Sequence, residues 1–141
     1  MLKGISGIIS PDLLKVLSEM GHGDEIVFGD SNFPAATNAQ RLIRADGHTI
    51  TALLEAILPL FPLDYVVDYT AVLMKYAGDV EPKVWSRYRE ILGRFPDGNK
   101  QLLLLPRFDF YERARKAYCI VATSESEAYA NLIITKGCVR D

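Results

Sequence analysis

The stretch Ser10-Pro11-Asp12-Leu13-Leu14-Lys15-Val16-Leu17-Ser18-Glu19-Met20-Gly21-His22-Gly23-Asp24-Glu25-Ile26-Val27-Phe28-Gly29 changes its apolar period half-way along. In the first half Leu13, Leu14, Val16, Leu17 and Met20 share one helical face. Ser10 suits the cap, Pro11 the first helical position and Asp12 the positive end of the helix dipole. Gly21 is placed to end the helix. The second half, Glu25 to Gly29, is a short apolar run of strand length. A helix that hands over to a strand within a few residues is the building unit of layered α/β domains.

The alternation continues along the chain. Asp30 to Ala39, with its Ser, Asn and Pro, reads as a loop too long to be mere connection in a small domain. Arg41 to Arg44 reads as a short strand and Ala45-Asp46-Gly47 as a turn. A helix starts at Thr49 or Thr51, carries Leu53, Leu54, Ile57 and Leu58, and stops near Pro59 to Pro62. Ala71 to Tyr76 is the next strand. Pro82 opens the most regular helix, in which Val84, Trp85, Tyr88, Ile91, Leu92 and Phe95 form a core or interface stripe. The run Gln101 to Leu105 has the length of a buried strand. Asp109 can cap a helix that extends through Ala117. Tyr118 to Thr123 and Leu132 to Thr135 read as strands joined by the polar link Ser124 to Ala128. The expectation is one α/β domain over residues 1–141, with three layers and helices packed on a mostly parallel central sheet.

Composition narrows the function. The chain has 141 residues, 49% hydrophobic and 24% charged, so it can bury a core and is not of the disordered class. Its net charge of -2, with Lys and Arg scattered, argues against a nucleic-acid binder, which needs a basic stripe. Apolar runs such as Leu102 to Leu105 are far too short to span a bilayer. The first residues show no apolar segment followed by a cleavage site, so no signal peptide is expected. Cys119 and Cys138, without a CxxC spacing, read as buried free thiols of a cytoplasmic protein. Together with the separated His22 and His48 they make no metal-ligand cluster.

Several devices fail on inspection. Gly21-His22-Gly23 resembles the start of a dinucleotide fingerprint, but the third glycine is missing and a strand follows. No phosphate-cradling GxxxxGK[ST] and no GxSxG elbow occur. What remains is a set of polar groups beside strand ends: His22, Asp30, Arg107, Tyr129 and Asn131. The imidazole of His22, between two glycines, suits proton transfer near neutral pH. It could equally favour the negative end of the preceding helix. Arg107 could be a surface ion pair, Tyr129 a half-buried core phenol and Asn131 a strand-edge cap. Asp24, Asp46, Asp64, Asp68 and His48 read as turn, cap or surface residues. Taken together, the first set suits a neutral polyhydroxy ligand and proton transfer.

These residues carry a family resemblance. Met20-Gly21-His22-Gly23-Asp24-Glu25-Ile26, Asp30 before Phe33-Pro34-Ala35, and Arg41-Leu42-Ile43-Arg44-Ala45-Asp46-Gly47 resemble the L-fucose mutarotase and D-ribose pyranase family. So do Arg107-Phe108-Asp109-Phe110-Tyr111-Glu112-Arg113-Ala114 and Tyr129-Ala130-Asn131-Leu132-Ile133-Ile134-Thr135-Lys136-Gly137. The segments cover nearly the whole chain in order, and the run from Arg107 is similar to the fucose branch.

The resemblance implies a cofactor-free isomerase, with no metal, that interconverts the anomers of a monosaccharide. His22 would be the proton donor, and Asp30, Arg107, Tyr129 and Asn131 would bind the sugar. A D-ribose pyranase and a non-catalytic sugar-binding module are the alternatives. The family usually has glycine where Ala130 stands; if that glycine needs a positive φ, alanine would cost about 1 kcal/mol and shift Asn131.

Chain order also bears on assembly. Asp30 and Arg107 follow their strands, whereas His22, Tyr129 and Asn131 precede theirs. Five extended residues reach roughly 16 Å, so in a mostly parallel sheet the two groups would lie on opposite edges. Either some strands run antiparallel or a neighbouring subunit completes the site, and the second is the favoured expectation. The resemblance implies the same, a homo-oligomeric ring-shaped decamer with sites between subunits.

Overall fold

The computed structural model describes residues Met1–Arg140. The elements run α1 (Pro11–Glu19), β1 (Glu25–Gly29), α2 (Ala35–Asn38), β2 (Leu42–Ala45), α3 (Ile50–Ile57), β3 (Tyr69–Met74), α4 (Lys83–Leu92), β4 (Gln101–Leu105), α5 (Arg107–Lys116), β5 (Cys119–Thr123) and β6 (Leu132–Thr135). The strands form a sheet in the order β2-β5-β1-β6-β3-β4. Pairs β1–β5, β2–β5 and β3–β4 are parallel, while β6 is antiparallel to both β1 and β3. The sheet is therefore mixed and mostly parallel, with one reversed strand near its middle.

Side-chain alternation along the strands separates two cores. Ile26, Phe28, Val121, Leu132 and Ile134 face one way and pack under α1, α3 and α4. Val27, Ile120, Ala122 and Ile133 face the other, where Phe110 and Ala114 of α5 cover them with Phe33 and Ala35. Three layers result. No helix among the described residues is long and apolar enough to cross a membrane.

Local chemistry explains the boundaries. Ser10 Oγ accepts from the Leu13 N–H at 3.1 Å, and Thr49, not Thr51, caps α3 by accepting from Ala52 N–H at 3.2 Å. The first helix stops at Glu19 with Met20 already extended, and Gly23 rather than Gly21 takes the positive φ of 90°. The stripe of α4 runs on to Phe95, but the helix itself ends at Leu92. The segment Asp30 to Ala39 is not wholly loop, since α2 occupies part of it.

Two more expectations change. Asp109 lies in the first turn of α5, because Pro106 sets the cap position and the helix starts at Arg107. The leucine strand β4 is not buried but forms one edge of the sheet, leaving Leu104 exposed. Cys119 is buried and free as expected; Cys138 is free but exposed, because it lies beyond the end of β6.

Candidate active site

The reversed strand decides which polar groups meet. Because β6 runs against its neighbours, its N-terminal end lies at the rim where β1 and β4 finish. Tyr129 and Asn131 thus join Asp30 and Arg107, and the four line one open cleft of about 300 Å³. The expectation that Tyr129 and Asn131 sit with His22 on the opposite edge is corrected by this antiparallel pairing. His22 alone of the five stays at the other rim, before β1.

At the cleft, Asp30 is 9% exposed and its backbone N–H donates to Asn131 Oδ1 at 2.7 Å. Its own Oδ1 accepts from the Asn32 N–H at 3.0 Å. Burial pushes the Asp30 carboxyl above its ordinary value of 3.8. Backbone N–H groups of Asn32, Phe33 and Ala130 oppose the shift, and the charge of Glu125 adds to it. Glu125, a second buried acid, is held by the turn that starts at Thr123, whose hydroxyl donates to Gly29 O at 2.7 Å. Sequence reading passed over it.

Arg107, the first residue of α5, donates from Nε to the Tyr111 hydroxyl at 3.2 Å. Its guanidinium lies 5.4 Å from the Tyr111 ring centre, and Tyr111 in turn meets Phe33 edge-on. Arg107 is therefore held over an aromatic wall of the cleft, and among the described residues its other donors have no partner. The exposed Phe108 extends that wall outward.

The Tyr129–Asn131 segment is suspended from α4. Trp85 Nε1 donates to Tyr129 O at 2.8 Å, and the Tyr88 hydroxyl donates to Ala130 O at 2.7 Å. The core aromatics of α4 thus spend their polar tips on the site backbone. The positive φ of the segment belongs to Tyr129, at 57°, and not to Ala130. Alanine in place of the family glycine therefore carries no left-handed strain, and Ala130 is simply buried.

At the other rim, His22 Nε2 lies 2.9 Å from Asp64 Oδ1. The Asp64 side chain is 5% exposed and that of His22 41%. Burial works to raise the Asp64 carboxyl, but the His22 hydrogen bond, with backbone N–H groups of Val66 and Tyr65, outweighs it and holds the carboxyl below its usual 3.8. An ionised carboxylate can only accept, so Nε2 carries the hydrogen and Nδ1 is the nitrogen free to exchange a proton. The Tyr65 ring stacks on the imidazole at 5.8 Å between centres. Asp64 does shape a turn, accepting from the Val66 N–H at 3.2 Å, but it is buried and no surface residue. Its signal was a lone carboxylate inside the apolar run Phe61 to Val67, where burial demands a partner.

The cleft gathers four of the five polar residues singled out in the sequence, and the chain agrees with the RbsD / FucU transport protein family over residues 3–139. The chain belongs to this family. It is 49% identical over 139 residues to the L-fucose mutarotase of Haemophilus influenzae strain PittEE, covering 97% of this chain and 96% of that one. A fucose mutarotase from Streptococcus pneumoniae, solved in complex with L-fucose, is 50% identical with a TM-score of 0.91. That alignment covers 99% of this chain and 100% of the other. FucU from Bifidobacterium longum is 48% identical with a TM-score of 0.92, covering 98% and 100%.

Proposed function

We propose that this protein is an L-fucose mutarotase, an isomerase that interconverts the α and β anomers of the free sugar by opening and reclosing its ring. The observation that carries the reading is the convergence of Asp30, Arg107, Tyr129 and Asn131 in one cleft of a chain that shares half its residues with fucose mutarotases. The chemistry needs one proton removed from the anomeric hydroxyl and one delivered to the ring oxygen. The C–O bond then opens, the aldehyde end rotates, and both transfers reverse on its other face. Such general acid–base assistance contributes roughly 10²–10⁴-fold.

In this scheme His22, as the imidazolium, delivers the ring-oxygen proton from Nδ1 and retakes it there, while Asp64 holds the Nε2–H and orients the ring. Asp30 takes the anomeric proton in its ionised form, and the burial that raises its carboxyl makes that carboxylate the stronger base. Arg107, Tyr129 and Asn131 bind sugar hydroxyls. His22 stands before β1 and Asp30 after it, so the scheme requires His22 from a neighbouring subunit. We therefore assign the working form as a homo-oligomer with sites between subunits, a decamer by family resemblance, acting in the cytoplasm.

NMR saturation transfer between the anomers of L-fucose, with and without protein, tests the reading. Exchange accelerated for L-fucose well beyond that for D-ribose is the expected result. Binding without faster exchange would make the protein a sugar-binding module instead, and faster exchange for D-ribose alone would make it a pyranase.

A further inference from the structure

His22 is held by very little of its own. Its neighbours are two glycines, its side chain is nearly half exposed, and Tyr65 is the ring packed on it. Yet proton transfer needs a reacting group fixed to within a fraction of an ångström. The restraint has to come through the backbone. Asp24 closes the turn locally, its Oδ2 accepting from the Gly21 N–H at 2.7 Å and its N–H donating to Gly21 O at 3.1 Å, and Lys136 ties that turn to the rest of the fold.

We propose that Lys136 is the positioning residue of the His22–Asp64 pair, clamping the His22 joint with its ammonium and both its peptide groups. The proposal rests on the reading of His22 as the proton donor. Lys136 Nζ donates to Leu17 O at 2.8 Å and to Met20 O at 2.6 Å, at the end of α1. That helix has no basic residue in its own last turn, so a cation from 116 positions away neutralises its negative end. The Gly23 N–H donates to Lys136 O, and the Lys136 N–H donates to Asp24 O, both at 2.8 Å. Lys136 thereby grips the chain on both sides of His22, at Met20 and at Gly23-Asp24.

The flanking residues grip the other partner. The Asp64 N–H donates to Thr135 O at 3.1 Å and the Gly137 N–H to Pro62 O at 2.7 Å. A Cβ on Gly137 would stand 2.5 Å from Leu63 O and 2.9 Å from Asp64 Cα, so the two backbones approach this closely only because the residue is glycine. Three consecutive residues, Thr135 to Gly137, thus carry the histidine joint on one side and the aspartate loop on the other. The 2.9 Å contact between His22 and Asp64 is the product of that shared mount. Removing the ammonium frees the Leu17 and Met20 carbonyls and lets the joint turn at its two glycines, which misplaces the imidazole without touching the sugar cleft.

The experiment compares wild type with K136M, K136Q and K136R. Three quantities are read: kcat and KM for L-fucose anomer exchange, thermal midpoint, and the pH titration of the Asp64 carboxyl carbon by NMR. The groups that act on that carboxyl are His22 and the Val66 and Tyr65 N–H groups, with Lys100 on the Asp64 carbonyl. K136M should lower kcat roughly 10–100-fold, the scale of a misplaced catalytic group, with KM changed less than about twofold. Its Asp64 carboxyl should titrate higher than in wild type as the His22 hydrogen bond loosens, and K136R should restore both. A folded K136M with wild-type kcat and wild-type Asp64 titration overturns the proposal, as does a fall in thermal midpoint alone. If K136M does not fold, K136Q, which keeps an uncharged NH2 donor group, decides on the same readings. The Asp64 titration needs no sugar, so it judges Lys136 even if wild type exchanges no L-fucose, a result that would sink the proposed function separately.

Discussion

The Asp30 backbone N–H donates to Asn131 Oδ1 at 2.7 Å, joining the end of β1 to the start of β6 across 101 positions of sequence. Both residues are buried, and the bond sets the spacing of two groups that face the same cleft. Asn131→Ala leaves that N–H without its acceptor, at a cost of about 1–3 kcal/mol in stability. It should also weaken L-fucose binding. Urea unfolding and sugar titration check the two effects, and an unchanged unfolding midpoint would remove the bond from the list of stabilising contacts.

Asp30→Asn should separate stability from function. The folded carboxyl titrates above the ordinary 3.8, chiefly through burial. A raised value means that its contribution to stability is fully present below about 3.8 and is lost as pH rises through the folded value. At neutral pH the ionised group is a cost, so the asparagine variant should melt higher than wild type at pH 7. The gap should narrow towards pH 4. Anomer exchange should fall at the same time, and a variant that melts lower at pH 7 contradicts the assignment.

His22→Ala should abolish exchange of L-fucose anomers while the variant stays folded. If neighbouring subunits share the site, mixing His22→Ala with Asn131→Ala protein regains activity, because some sites then hold one intact His22 and one intact cleft. Sedimentation should show a single large species. A fully active monomer at assay concentration would refute the shared site.

Exchange should survive exhaustive chelation and need no nucleotide, since the proposed scheme requires only a proton donor and a proton acceptor, the roles it gives to His22 and Asp30. Activity lost on EDTA and recovered with a divalent ion would contradict this.

Much of the fold could be read from periodicity and caps. Glu25 to Gly29, Gln101 to Leu105 and Leu132 to Thr135 are strands with the boundaries their apolar runs suggest, and Ser10 and Pro11 open α1 as their chemistry dictates. The direction of β6 is legible in the chain too. The link after β5 is eight residues, Ser124 to Asn131, whereas a parallel return needs a crossover of about a dozen or more. That link cannot carry the chain back to the far rim, so β6 must run the other way and bring Tyr129 and Asn131 to Asp30. The Asp64 partnership was harder to see. The run 61–67 signals that a buried Asp64 needs a partner, but which one depends on the loop that β6 passes at its far end, a long-range pairing that no local pattern encodes. The exposure of Leu104 was hidden for the same reason, because leucines read alike on an edge strand and a central one.

The reversed strand has an evolutionary corollary. Among the described residues, β6, four residues long, is flanked by the cleft residues Tyr129 and Asn131 at one rim and by Lys136, which bonds the His22 joint, at the other. Adding or deleting one residue within it would turn every following side chain to the opposite face. Such a change would unseat Asn131 or Lys136, whichever end moved. Related chains can therefore vary in the length of their loops, but Leu132 to Thr135 should tolerate neither insertion nor deletion, and drift in substrate preference has to come through side chains rather than through the length of this strand.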